Sequence, residues 1–297
     1  MGDRAPVNNL PVKLTTFVGR SDEVAELHDL VCRTRLLTLT GAGGCGKSRL
    51  AAHVARQALP SFPDGAWFVE LAPISEPELV PAAVAHILGV RPSPDQSELD
   101  AVIAFLAPRR ALVVLDNCEH LLSEAARTAE AVARACPRVA VLTTSREPLR
   151  AEGETQWRVP SLSLPALDED PDASDAVRLF LERAAQAEPR FTLTPANTDA
   201  VVSICCQLDG MPLAIELAAA GLGAFSVDDI AARLTHRFRL LTSGVRTALP
   251  RHQTLRASVD WSHDLLSNGE QMVLRRLGVF AGSFTVGGAE WVCAGAG

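Results

Sequence analysis

The sequence predicts an α/β fold, a parallel sheet flanked by helices, followed by a part built from helices alone. Three observations carry this. Through the first half, short apolar runs alternate with helical patterns, the order expected of a parallel sheet with crossover helices. Residues 160–173 (PSLSLPALDEDPDA) then break the pattern with prolines and acids that no regular element tolerates. Everything after that break reads as helical. At 297 residues the chain exceeds one average domain, so two or three packed units are expected.

In order, the candidate strands are residues 36–40 (LLTLT), 66–71 (AWFVEL), 111–115 (ALVVL), 139–144 (VAVLTT) and 155–159 (TQWRV). Each is short and largely apolar, as strands buried on both faces should be. Helices are expected between them at 48–59, 77–88, 95–106 and 121–136, the third opened by Pro94 after Ser93. Beyond the break, Val177, Phe180, Leu181 and Ala184 follow the i, i+3, i+4, i+7 rule, and Val201, Ile204, Cys205 and Leu208 repeat it. Core packing then explains the adjacent Cys205 and Cys206, since one of them completes that stripe. Gly210 can end one helix and Pro212 can open the next, through residues 213–220. Ser267 and Glu270 form a capping box ahead of Val273, Leu274 and Leu277, which starts a helix at Asn268. The last five residues, Cys-Ala-Gly-Ala-Gly, supply no closing element, as expected of a piece of a longer protein.

The balance of 47% hydrophobic and 21% charged residues is that of a soluble globular protein. A net charge of -7 withholds the basic footprint of a nucleic-acid binder, so direct nucleic-acid binding by this segment is not expected. The seven cysteines, Cys32, Cys45, Cys118, Cys136, Cys205, Cys206 and Cys293, are odd in number and lack CxxC or zinc-ligand spacing, which fits reduced thiols in a cytoplasm. The N-terminal stretch MGDRAPVNNLPVKLTTF has no apolar core for a signal peptide, and no run of 18 apolar residues occurs, so a cytoplasmic location without a membrane partner is expected.

Gly41-Ala42-Gly43-Gly44-Cys45-Gly46-Lys47-Ser48 matches G-x-x-x-x-G-K-[ST] and stands directly after an apolar strand and before a helix, the context its mechanism needs. Glycines let the backbone wrap a β-phosphate with its N–H groups inward, and the positive end of the following helix adds to the attraction. Lys47 is placed to bridge β- and γ-phosphates and Ser48 to offer its hydroxyl to Mg2+, so ATP or ADP with magnesium is the expected ligand. Arg49, the next residue, is counted with the loop as a nucleotide contact. Such a loop needs a second acid for the metal, at the end of a hydrophobic strand, and Leu112-Val113-Val114-Leu115-Asp116 supplies it. A helix N-cap is the alternative role for Asp116. Among Asn117, Cys118, Glu119 and His120, Glu119 is chemically the better base for orienting water, but spacing does not choose it over Asn117. Arg146, in Thr143-Thr144-Ser145-Arg146-Glu147, ends the next strand at the same sheet edge and could sense a γ-phosphate with its fork. Pairing with Glu147 or another surface acid is the plainer alternative.

With these residues in place the chain resembles the STAND class of P-loop ATPases, in particular the NB-ARC-like module of bacterial transcriptional regulators of the LuxR and SARP types. The matching pieces arrive in the family's order: Phe17-Val18-Gly19-Arg20 with Glu23, the loop itself, Leu115-Asp116-Asn117-Cys118-Glu119-His120, Thr144-Ser145-Arg146-Glu147, Gly210-Met211-Pro212-Leu213-Ala214 and residues 255–266 (LRASVDWSHDLL). The resemblance implies a P-loop nucleotide-binding domain over 1–165, a helical lid domain over 166–242 and an incomplete winged-helix domain over 243–297. It also implies base or ribose contacts from Val18, Gly19 and Arg20, and a place over the nucleotide for Pro212, with Met211 where leucine is usual. A plain helix start remains the other reading of Pro212. The histidine that holds ADP in related eukaryotic proteins has no assignable counterpart.

A switch is the activity that the resemblance implies. ADP holds the three parts closed, ATP loosens them and permits self-association, and slow hydrolysis resets the system. Arg146 and Pro212 belong to different units yet would share one ligand, which lets phosphate number bias a hinge. In such proteins sensor repeats and the DNA-binding helix-turn-helix lie outside this region, so the winged helix is expected to pack and not to read DNA. A P-loop kinase would need an acceptor pocket and lid arginines, for which Arg178 and Arg183 are the candidates, in the wrong motif order. A transporter ATPase lacks its LSGGQ-like signature here and a GTPase its NKxD. A nucleotide-binding scaffold without turnover stays open.

Overall fold

The computed structural model describes residues 6–166, 170–234, 268–280 and 285–294. Five strands, β1 Leu36–Thr40, β2 Gly65–Glu70, β3 Ala111–Asp116, β4 Ala140–Ser145 and β5 Thr155–Arg158, form one sheet in the order β2-β3-β4-β1-β5. Every pairing is parallel. The alternation of side chains explains why both faces must be covered. Leu37, Leu39, Leu112, Val114 and Leu142 point into one cluster with helices α1 Ser21–Arg33 and α2 Lys47–Ala58. Leu36, Val113, Leu115 and Val141 point into another with α3 Val80–Leu88, α4 Glu98–Leu106 and α5 Leu122–Ala135. Fully burying one such leucine contributes about 1.5–3 kcal/mol, so these two clusters fix the register of every strand.

The outer edge of β2 is covered by the N-terminal segment. Asn9 donates its side-chain amide to the Phe68 carbonyl (2.9 Å) and accepts from the Phe68 N–H (2.7 Å), while Ala66 N–H donates to Val7 O (3.0 Å). A sheet edge covered in this way is unavailable to other strands.

After the sheet come α6 Asp175–Ala187, α7 Thr198–Gln207, α8 Pro212–Ala220 and α9 Val227–Arg233, around a core containing Val177, Phe180, Ile204, Cys205, Ile215 and Ile230. Cys205 completes the stripe and Cys206 is exposed. Two further helices, α10 Asn268–Leu277 and α11 Val286–Ala294, lie near the C-terminus. These are the described part of the stretch expected as a winged helix. Residues 243–267, with the capping Ser267 and the LRASVDWSHDLL motif, lie outside the described residues.

The structure departs from expectation in four places. Helix α1 was not foreseen, although Val24, Leu27 and Val31 carry its buried stripe. Helix α4 begins at Glu98 and not at 95, because Ser97 accepts from Asp100 N–H (3.1 Å) and this cap displaces the weaker proline signal. The stretch 77–88 divides into a 3-10 turn, Pro77–Leu79, and α3, whose first turn takes Pro81 where no N–H is needed. On α6, Leu181 is only partly buried; Ala176 and Leu179 face the core instead.

Candidate functional site

The parallel register brings the polar residues together. Thr40 pairs with Ser145 across β1 and β4, and Leu115 with Thr143 across β3 and β4. The glycine loop, Asp116, Thr144 and Arg146 therefore leave the sheet at one edge, where the carboxyl ends of parallel strands hold ligands. β4 lies between the loop's strand and the aspartate's strand.

The loop itself turns through left-handed backbone at Gly44 (φ 83°) and Gly46 (φ 90°), which glycine adopts at least cost. Lys47 opens α2, and its buried ammonium donates to Gly41 O (2.7 Å) and Ala42 O (3.0 Å). Among the described residues, the N–H groups of Gly43, Gly44 and Gly46 have no protein acceptor. Unpaired N–H groups in a glycine loop, beside an ammonium and a helix N-terminus, fit a phosphate chain.

Asp116 is buried at the end of β3 and accepts from the Thr144 hydroxyl at 2.5 Å. Burial pushes its carboxyl up from the ordinary range, hydrogen bonds from Thr144 and Ser48 oppose this, and Glu119 and Glu70 add to the rise. A dication beside Ser48 would relieve that penalty. Among the described residues no cluster of three His, Cys, Asp or Glu could hold a metal alone. Magnesium fits here because it takes one or two protein ligands together with phosphate oxygens and water.

Of the four residues after Asp116, two are turned to structural work. Cys118 is buried with its Sγ donating to Leu115 O (3.4 Å), and the His120 Nε2 lies 2.9 Å from Ile74 O. Asn117 takes a left-handed backbone (φ 71°) and donates its N–H to Thr144 Oγ1 (2.9 Å). Glu119 accepts from Arg146 Nε at 3.1 Å, both side chains being largely buried. Arg146 thus does pair with an acid, Glu119, which lies in the 3-10 turn Cys118–His120 that follows β3.

The helical unit closes over the loop. Leu213 N–H donates to Gly44 O (3.2 Å), and Pro212, first residue of α8, would stand 3.9 Å from a Cβ at Gly46. A small cleft opens between the units, with Val18, Leu162, Leu179 and Pro212 as apolar walls. Its polar end holds Arg49, Arg183 and Glu216. Glu216 Oε1 lies 3.5 Å from Arg49 Nη1 and 3.0 Å from Arg183 Nε, and both arginines also donate to Thr16 O. Arg183, a candidate lid arginine for a kinase, is further tied to Glu182 at 2.7 Å. Arg178 is largely exposed and 3.7 Å from Asp175.

Arg20 ties the glycine loop to the helical unit. Its guanidinium donates to Cys45 O and Pro160 O, both at 2.8 Å, and its backbone N–H donates to Asp175 Oδ2 at 2.9 Å. Desolvation lowers its affinity for the proton, with Cys45, Glu23 and Asp175 opposing. Gly19, at φ 69°, leaves room for the same Asp175 carboxylate, whose atoms would meet an added Cβ at 2.1–2.4 Å. Asp175 and Glu216 were missed from sequence; both lie in a helical pattern that otherwise reads as solvated face.

A five-stranded parallel sheet with a glycine loop between β1 and α2, and an aspartate ending β3, defines the architecture of a P-loop ATPase. The chain belongs to the AAA ATPase domain family, which matches residues 16–255. It is 46% identical over 269 residues to a Mycobacterium tuberculosis protein provisionally named HTH-type transcriptional regulator Rv0890c, covering 91% of this chain and 29% of that one. It is 29% identical to the regulatory protein AfsR of Streptomyces griseus, over 92% of this chain and 27% of AfsR. The chain therefore spans less than a third of these relatives' length. Among solved structures, the Walker-type ATPase PABY2304 of Pyrococcus abyssi shares the fold over 96% of this chain and 91% of its own, at 13% identity and a TM-score of 0.59. Among the described residues no helix is long and apolar enough to cross a membrane.

Proposed function

We propose that this chain is the ATP/ADP-binding switch module of a transcriptional regulator, in which the nucleotide, with magnesium, sets the position of the helical lid. The carrying observation is the Leu213 N–H to Gly44 O contact: a residue of the helical unit sits on the phosphate loop, so a ligand there bears on both units. In this reading Gly41 to Ser48 hold the phosphates, with Lys47 across the β- and γ-positions and Ser48 and Asp116 toward magnesium. Val18, Gly19, Arg49 and Pro212 bound the base and ribose, and Arg20 holds that wall in place. The module spans a nucleotide domain (1–165), a lid (166–242) and the start of a winged helix (243–297). ADP favours the closed arrangement, ATP loosens it and permits self-association, and slow hydrolysis with Glu119 as base resets it. Sequence-specific DNA contact belongs to a part of the full regulator outside these residues. The names of the relatives support the regulatory role.

ATP and ADP affinities and phosphate release, for wild type, Lys47→Ala and Asp116→Ala, test this. Removing Lys47 deletes charge-assisted contacts of about 1.5–3 kcal/mol each, so affinity should fall about 10²–10³-fold. Unchanged binding in Lys47→Ala would refute the loop's role. The Glu119–Arg146 pair also favours a second reading, a scaffold without turnover, which prevails if wild type binds ATP but releases no phosphate.

A further inference from the structure

The cleft between the two units begins at the phosphate loop, where Gly46 and Pro212 of α8 line it together. Glu216 also lines it and stands four residues further along α8, one helical turn from Pro212 on the same face. Val18, Leu162 and Leu179 make the remaining wall apolar, which suits the flat faces of a ring. Two arginines share the polar end, but their arms are already taken. Arg49 donates from Nη1 to Glu216 Oε1 (3.5 Å) and from Nη2 to Thr15 O (2.9 Å) and Thr16 O. Arg183 donates from Nε to the same Glu216 oxygen (3.0 Å), from Nη1 to Glu182 Oε1 (2.7 Å) and from Nη2 to Thr16 O (3.3 Å). Five of the six guanidinium nitrogens thus serve protein oxygens. Both arginines use Oε1 of Glu216, and Oε2 has no partner among the described residues. The unspent group at this end of the cleft is therefore an acceptor.

We propose that Glu216 selects the base of the bound nucleotide: its Oε2 accepts from the exocyclic amine of adenine and rejects the carbonyl oxygen that guanine and hypoxanthine carry in that place. The inference rests on the nucleotide reading of the site, to which it adds the residue that reads the base. A nucleotide with its phosphates in the loop carries its base past Pro212 and along α8 toward Glu216. Adenine brings an N–H donor to that end, whereas guanine brings an acceptor. An ionised carboxylate accepts but cannot donate, so a carbonyl placed against it sets two oxygens face to face between apolar walls. The arginines are positioning residues in this arrangement. Arg49 on α2 and Arg183 on α6 hold Oε1 from the two units, which fixes the carboxylate and leaves Oε2 for the ligand.

The test is binding of ATP, inosine triphosphate and purine riboside triphosphate to wild type and Glu216→Gln. Inosine triphosphate exchanges the amine for a carbonyl oxygen, and purine riboside triphosphate deletes the amine; the phosphates are the same in all. Because the carboxylate is a third exposed, wild type should prefer ATP about five- to tenfold over the deleted analogue, and at least about tenfold over inosine triphosphate. Glu216→Gln should bind inosine triphosphate more tightly than wild type does, and the ratio of ATP to inosine triphosphate should fall to within about threefold, because an amide can turn its N–H2 group to the carbonyl. A gain confined to one ligand does not come from a loosened seam, which weakens all of them alike. Equal wild-type affinity for ATP and inosine triphosphate, or an unchanged ratio in Glu216→Gln, overturns the proposal. The wild-type comparison decides alone if Glu216→Gln does not fold. Failure of the site reading itself is separate, because wild type would then bind no nucleotide or Lys47→Ala would bind as wild type does.

Discussion

The sheet edge and the seam between sheet and helical unit meet at the glycine loop, yet they are built in opposite ways. At the edge, the candidate site residues lie in short contiguous stretches, Gly41 to Ser48, Asp116 to Glu119 and Thr144 to Arg146, which the parallel register brings to one end of the sheet. The seam is made of single residues drawn from far apart. Arg20 meets Asp175 across 155 positions, and Arg183 reaches Thr16 across 167. In the proposed reading the edge binds the ligand, and the seam holds the two units together. Substitutions should therefore separate the two, with chemistry lost from one and stability from the other.

The sharpest contrast sets Lys47→Ala against Gly210→Ala. The first should abolish most nucleotide affinity while the melting temperature of the free protein stays within a few degrees, since the exchange removes no core packing. The second places a Cβ in left-handed backbone (φ 64°) and 2.4 Å from Leu162 O, where Leu162 N–H also donates to Gly210 O. Backbone strain and overlap together should cost roughly 2–4 kcal/mol, read as a lower melting temperature and as faster proteolysis within residues 160–173. If Gly210→Ala melts like wild type, the seam does not stabilise the molecule. Next comes Asp175→Ala, which leaves the buried Arg20 N–H without its acceptor and should cost about 1–3 kcal/mol by denaturant titration.

Smaller still, Glu216→Gln should cost no more than about 1 kcal/mol, because the carboxylate is a third exposed and Arg183 keeps Glu182 and Thr16 O. The smallest effect is one of pH. His53 stacks on Phe17 at 4.0 Å, and desolvation, then Arg56 and Arg49, depress its proton affinity in the folded state. The folded protein prefers neutral His53, so its contribution is complete above the ordinary histidine pKa of about 6.5 and is lost as pH falls below it. Melting curves between pH 7.5 and 5 should show this slope, and His53→Phe should flatten it.

The same contrast explains what could be read in advance. The sheet, the loop and Asp116 were legible because strand period, glycine spacing and a terminal acid are local patterns, each read within ten residues. Arg146 was placed at the correct edge, but its partner was not identified. Glu147 is next in sequence, while Glu119 is 27 residues away and becomes a neighbour only through β3 and β4 pairing. Arg20 was expected at the base or ribose from the family resemblance alone, and nothing local reveals that its guanidinium goes to Cys45 O and Pro160 O. Helix α1 went unread because its start, Phe17 to Arg20, resembles a loop motif whose left-handed Arg20 hides the cap. The seam was invisible for a general reason: buried arginines and their acids keep no fixed spacing when they come from different units.

The insertion of β4 between β1 and β3 also sets a time at which the site can exist. Thr143 donates to Thr38 across 105 residues, so the strand that leads into the glycine loop has no partner on that side until β4 has been made and docked. Contacts of such long sequence separation form late, after the loop-closure entropy of the intervening chain has been overcome. A chain emerging from the ribosome would carry its whole glycine loop for about a hundred residues of synthesis before Asp116 and Ser48 could face each other. In the proposed reading, nucleotide capture would therefore report that the sheet is finished, and a ligand that binds only the completed edge favours full-length, correctly threaded molecules over every earlier intermediate.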